Sequence, residues 1–134
     1  MKQFTLSRQE RLKSRKQIDQ LFNSGKYFNV SPLRVIYEVE TGDGAPPLQF
    51  GVAVSSRNFK KAVERNRVKR LVREAWRLQK LPLQDQLKEK GLVLRLFLVY
   101  TGRELPDQQL ITERTGLVIL RLANIIDGKN TPNT

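Results

Sequence analysis

The sequence predicts a single α/β domain of 134 residues, a two-layer sandwich with a small mixed sheet and three helices. The expected order is helix, strand, strand, helix, strand, helix. Three observations carry this. Leu92 to Tyr100 (LVLRLFLVY) is apolar nearly throughout, as a strand covered on both faces must be. Leu33 to Glu40 alternates Leu33, Val35, Tyr37 and Val39 against Arg34, Ile36, Glu38 and Glu40, the period of a half-buried strand. Between Arg57 and Lys80, Val63, Val68, Leu71, Val72, Ala75, Trp76 and Leu78 recur at helical spacing.

In chain order, Met1 to Lys13 is a basic, polar arm, and Ser14 is an N-cap for a short helix over Arg15 to Asn23. That helix has Ile18, Leu21 and Phe22 on one face, and Gly25 past its end is expected to stop it in a left-handed conformation. The strand at Leu33 to Glu40 follows. Thr41 to Pro47 (TGDGAPP) is turn chemistry, and Leu48 to Ser55 (LQFGVAVS) is a second strand, so the two can pair as a hairpin with a loose loop. The basic helix spans Lys61 to Gln79 and is stopped by Pro82, with a further helical turn over Leu83 to Lys90 before Gly91. After the strand at Leu92 to Tyr100, Pro106 and Asp107 open a last helix from Gln108 to Asn124. Its register holds Leu110, Ile111, Leu117, Val118, Arg121, Leu122 and Ile125. The domain is expected to span residues 1–127, with a disordered polar tail at 128–134.

Composition narrows function. Cysteine and histidine are both absent, which removes disulfides, a thiol nucleophile, the commonest general base and the commonest metal ligand. Against 13 Asp and Glu stand 25 Lys and Arg, a formal charge of +12. A surplus of that size speaks about partners, and nucleic acid is the leading one. No apolar run approaches the roughly 20 residues a membrane-spanning helix needs, and the N-terminus has no signal-peptide core. The expectation is a cytoplasmic protein with no membrane partner and no obligate protein partner.

The Arg57 to Lys80 segment holds ten of the basic residues and only two acids, Glu64 and Glu74. On a helical wheel, Val68, Leu71, Val72, Ala75, Trp76 and Leu78 fall in one arc, and Arg65, Asn66, Lys69, Arg70, Arg73 and Arg77 in the opposite one. Like charges at i, i+3 and i+4 repel by a few tenths of a kcal/mol per pair. Interspersed Glu would be the stable choice for a merely solvated face, and a bound array of phosphates reverses the sign. Ser55, Ser56, Arg57, Asn58, Lys60 and Lys61 add hydroxyls, amides and charge beside the helix N-terminus, where free N–H groups also favour phosphate. Trp76, at the edge of the apolar arc, is assigned to the core.

The run Arg65-Asn66-Arg67-Val68-Lys69-Arg70 resembles the RNR motif of the bacterial ribonuclease P protein family. Its flanks match too: Phe50 to Ser55 and Ala62-Val63-Glu64 before it, Leu71 to Arg77 after it, and Arg11-Leu12-Lys13 near the N-terminus. The resemblance spans roughly residues 11 to 125. It implies a sandwich in which the basic helix lies in a left-handed β-α-β crossover, against the general rule. It implies a catalytic RNA that uses Mg²⁺ to remove the 5′ leader of precursor tRNA, so the protein side chains do no chemistry. The RNA face it implies is Arg65, Asn66, Arg67, Lys69, Arg70 and Arg73, with Arg57, Lys60 and Lys61 nearby. The implied leader cleft uses Phe22 with Val35 and Tyr37 of the sheet, and Ile18 where many members have Phe. Phe22 is equally readable as a core aromatic. Two other readings stay open: a ribosomal or ribosome-assembly RNA-binding protein, and a DNA-binding helix module, though the flanking strands do not form a helix-turn-helix pair.

Overall fold

The computed structural model describes residues 15–42 and 47–129. They form α1 (Arg15–Ser24), β1 (Lys26–Val30), β2 (Leu33–Thr41), β3 (Leu48–Val54), α2 (Ala62–Gln79), α3 (Leu81–Lys90), β4 (Leu92–Tyr100) and α4 (Gln108–Lys129). The expected N-terminal arm, the Ser14 cap, most of the TGDGAPP turn and residues 130–134 of the tail lie outside the described residues. The α/β class holds, with one strand and one helix more than the sequence predicts.

Sheet order is β1-β2-β4-β3. β4 lies inside, antiparallel to β2 and parallel to β3. Its residues are buried on both faces, as suits a central strand with helices packed above and below the sheet. This corrects the expected hairpin: β2 and β3 are not neighbours, since β4 is inserted between them. The additional strand, β1, pairs antiparallel with β2 at the sheet edge. Of its five residues only Phe28 is buried, so the sequence carries little period-2 signal there.

One sheet face carries the main core. Leu33, Val35 and Tyr37 of β2, Leu48, Phe50 and Val52 of β3, and Leu94, Leu96 and Leu98 of β4 pack with Val68, Val72, Ala75 and Trp76 of α2. Ile111, Val118, Leu122 and Ile126 of α4 complete it. Trp76 is fully buried and stacks on Phe50 at 4.6 Å, as its assignment to the core requires. On the opposite face a smaller core joins Leu21 and Ile18 of α1 to Ile36, Ala53, Phe97 and Val99.

The helix ends differ in detail from expectation. α2 ends at Gln79 as expected, and Pro82, which cannot continue it, sits in the first turn of α3, where its missing N–H is harmless. The left-handed glycine is Gly91, which caps α3 at φ 65° and donates its N–H to the carbonyls of Leu87 and Lys88. Gly25 has no positive φ; a side chain there would crowd the Leu21 and Tyr37 carbonyls. Asp107 Oδ1 accepts from Leu110 N at 2.8 Å and caps α4. That helix runs past Asn124 to Lys129, because Ile126 is still buried in the main core.

Candidate nucleic-acid interface

α2 is anchored by Val68, Val72, Ala75 and Trp76, so its outer line is fixed as Asn66, Arg70, Arg73 and Arg77, at i, i+4, i+7 and i+11. Asn66, Arg70 and Arg73 are exposed, as is Arg67 on one flank, while Lys69 on the other is half-buried. None of Arg67, Lys69, Arg70 and Arg73 forms an ion pair among the described residues. Arg77 differs: it pairs with Glu74, and hydrogen bonding to that guanidinium holds the Glu74 carboxyl below its usual range. The uncompensated charge is therefore concentrated on the first three turns of α2. The apolar arc is narrower than the wheel gives, since Leu78 is exposed, and Val63, apolar at helical spacing, is exposed too.

Arg65 is placed differently from its sequence assignment. It shares the line of Val68, Val72 and Trp76, so it falls at the core edge and is half-buried. Its Nη1 donates to the carbonyls of Phe59 (2.7 Å) and Lys60 (2.9 Å). The segment it holds presents exposed Arg57, Lys60 and Lys61. Asn58 Nδ2 ties that segment to the carbonyls of Thr101 and Gly102, at 3.3 and 3.2 Å. Phe59 is buried against Tyr100. These two anchors were not legible in the sequence, because both partners lie some forty residues away.

The groove lies across the sheet from α2. It is a cavity of about 400 Å³ lined by Phe22, Gly25, Tyr27, Arg34, Ile36 and Val99. Here the cleft assignment needs correction. Val35 is fully buried and Tyr37 nearly so, both in the main core. Side chains alternate along a strand, so if Val35 and Tyr37 face the helices, Arg34 and Ile36 face the groove. Phe22 and Ile18 are on the groove side as expected. Phe22 is half exposed and meets Phe97 edge-on at 5.3 Å. Phe97 in turn lies over Gly51, where a Cβ would overlap its ring. Tyr27, exposed on β1, carries the Arg34 guanidinium 5.5 Å above its ring. The period of β2 would have pointed to Ile36, but nothing in KYFNV singled out Tyr27.

One feature joins these surfaces. In the sheet register Arg34 and Ala53 flank Val99, and the next residue pair is Val54 with Tyr100. The groove therefore ends beside Thr101 and Gly102, the carbonyls that hold the cationic loop. Farther along the same sheet face, Glu38 and Glu40 both pair with Arg95, and Gln49 accepts from Arg95 Nε at 3.0 Å. These carboxylates are already partnered by a cation, so they do not make a ready metal site. Among the described residues no cluster of three or more His, Cys, Asp or Glu side chains could hold a metal, and no helix is long and apolar enough to cross a membrane.

A mixed sheet with a cationic helix face on one side and an aromatic groove on the other defines an RNA-binding protein. The family profile for Ribonuclease P matches residues 6–118, and the chain belongs to the ribonuclease P protein family, whose members serve tRNA processing. It is 38% identical over 130 residues to the ribonuclease P protein component of Porphyromonas gingivalis, covering 97% of this chain and 95% of that one. It is 32% identical over 119 residues to the component of Chlorobium phaeobacteroides, covering 81% and 82%. The solved RNase P protein of Staphylococcus aureus shares the fold at a TM-score of 0.62 and 17% identity, over 87% of this chain and 97% of that one. The role this supports is that of the protein subunit of ribonuclease P, and the ribosomal reading is not favoured.

Proposed function

We propose that the chain binds the catalytic RNA of ribonuclease P through α2 and its entering loop, and the 5′ leader of precursor tRNA through the α1–sheet groove. The observation that carries this is the line Asn66, Arg70 and Arg73, exposed on a helix anchored to the core, its arginines without acid partners among the described residues. Arg57, Lys60, Lys61, Arg67 and Lys69 extend it. Phosphates offset the mutual repulsion of these cations and release counterions as they bind. Unpaired bases of the leader lie in the groove against Phe22, Tyr27 and Ile36, where aromatic faces accept any base, and Arg34 answers a neighbouring phosphate or stacks on the base. Ile18 and Ile36 are aliphatic, so Tyr27 supplies the second aromatic surface.

In this reading the RNA performs the endonucleolytic step that matures the tRNA 5′ end, in the cytoplasm, and Mg²⁺ belongs to the RNA. The protein contributes binding and orientation, with no residue that donates or takes a proton in the reaction. Sequencing the RNA that copurifies with the tagged chain tests the choice of partner. Ribonuclease P RNA and precursor tRNA should dominate; a predominance of ribosomal RNA would overturn the reading.

A further inference from the structure

Three consecutive residues at the entrance to α2 are fixed by three separate means. Asn58 is held by its amide on the Thr101 and Gly102 carbonyls. Phe59 is 4% exposed and packs on Tyr100 at 6.0 Å. The carbonyls of Phe59 and Lys60 are both taken by Nη1 of Arg65. Of these three only the last comes from α2; the amides of Glu64 and Arg65 also hold the Lys61 carbonyl, so the Arg65 side chain is what carries the helix's hold back to Phe59 and Lys60. Its bonds are charge-assisted, with a cationic donor, and therefore stronger than neutral ones. Lys60 and Lys61, on either side of the restrained carbonyl, are exposed and form no ion pair among the described residues.

We infer that Arg65 is a positioning residue for RNA binding: it fixes the Phe59–Lys60 backbone so that Lys60 and Lys61 meet phosphates in register with Asn66, Arg70 and Arg73, and makes no phosphate contact of its own. Cations on a loop that must first be ordered bind with part of their attraction offset by lost chain entropy. A loop already ordered by Arg65 avoids that loss. The inference rests on α2 being the RNA-binding face, and it separates the first arginine of the motif from the others by function.

A double-mutant cycle tests it. Arg65→Ala is made in the full chain and in the Lys60→Ala/Lys61→Ala background, and binding to ribonuclease P RNA is measured over a range of salt. Arg65→Ala should weaken binding several-fold in the original chain and have no further effect when Lys60 and Lys61 are gone. An equal fold-loss in both backgrounds would overturn the inference, because a direct phosphate contact is additive. Should Arg65→Ala fail to fold, arginine modification of the unaltered protein by phenylglyoxal, read by mass spectrometry, decides. Arg65 should react slowly with or without RNA, while Arg70 and Arg73 react quickly and are protected by RNA. Rapid modification of Arg65 that RNA suppresses would overturn the proposal. Absence of any binding by the unaltered chain is a different outcome, and it would remove the wider reading of α2.

Discussion

Replacing Arg70 and Arg73 together by alanine separates binding from folding. Both side chains are exposed, neither forms an ion pair among the described residues, and neither belongs to the buried anchoring set Val68, Val72, Ala75 and Trp76. Their removal relieves like-charge repulsion worth a few tenths of a kcal/mol, so folding stability should stay within about 0.5 kcal/mol of the original. RNA binding should respond strongly. Each phosphate neutralised contributes roughly 0.7 to 0.9 to the slope of log affinity against log salt. Losing two contacts should therefore flatten the slope by about 1.4 to 1.8. Between about 50 and 200 mM monovalent salt, the penalty of the double substitution should shrink roughly 7- to 12-fold. Filter binding to ribonuclease P RNA at several salt concentrations reads this directly. Arg77→Ala is the internal comparison: Glu74 already neutralises that guanidinium, so the slope should barely move. Parallel lines for the double variant and the original chain would refute the reasoning, as would loss of the fold.

The groove gives a paired prediction. Tyr27→Ala should weaken binding of precursor tRNA by about 1 kcal/mol or more, the lower end for one stacked base, and leave mature tRNA binding unchanged. Val35→Ala should instead cost about 2 kcal/mol of folding stability, since that side chain is fully buried, with no preference between the two tRNAs. Gly51→Ala should destabilise by about 1–3 kcal/mol through overpacking and displace Phe97, weakening leader binding with it; a melting curve matching the original would contradict the packing described. On the alkaline side, burial raises the phenols of Tyr37 and Tyr100 above their ordinary value, with Arg121 partly opposing this at Tyr37 and Glu104 adding to it at Tyr100. Their folded values exceed the unfolded one, so their contribution is complete below about pH 10 and is lost as pH rises through the folded values. Thermal melts should show stability falling there, with tyrosinate absorbance rising as the chain unfolds.

What the sequence disclosed was what local period can encode. β4 was legible because both its faces are apolar, and α2 because four residues of one stripe recur without interruption from Val68 to Trp76. The neighbour of β2 was not legible, since strand order depends on which strand needs burial on both sides, a comparison across the chain. The additional edge strand escaped notice because a single buried residue, Phe28, gives no alternation. The cleft residues were misplaced by one position in β2. Its more apolar set, Leu33, Val35 and Tyr37, suits the larger core, and the mixed set with Arg34 and Ile36 is left for the solvent-facing groove. The hold of Arg65 on the Phe59 and Lys60 carbonyls was not legible, because those partners lie just before the helix, where no periodicity applies.

The central claim is that this chain serves an RNA catalyst by holding it and its substrate. Cleavage of a precursor tRNA by ribonuclease P RNA at low Mg²⁺, measured with and without the chain, tests that most directly. The rate should rise when the chain is added, and rise much less with Arg70 and Arg73 replaced. Identical rates with and without the chain would contradict it.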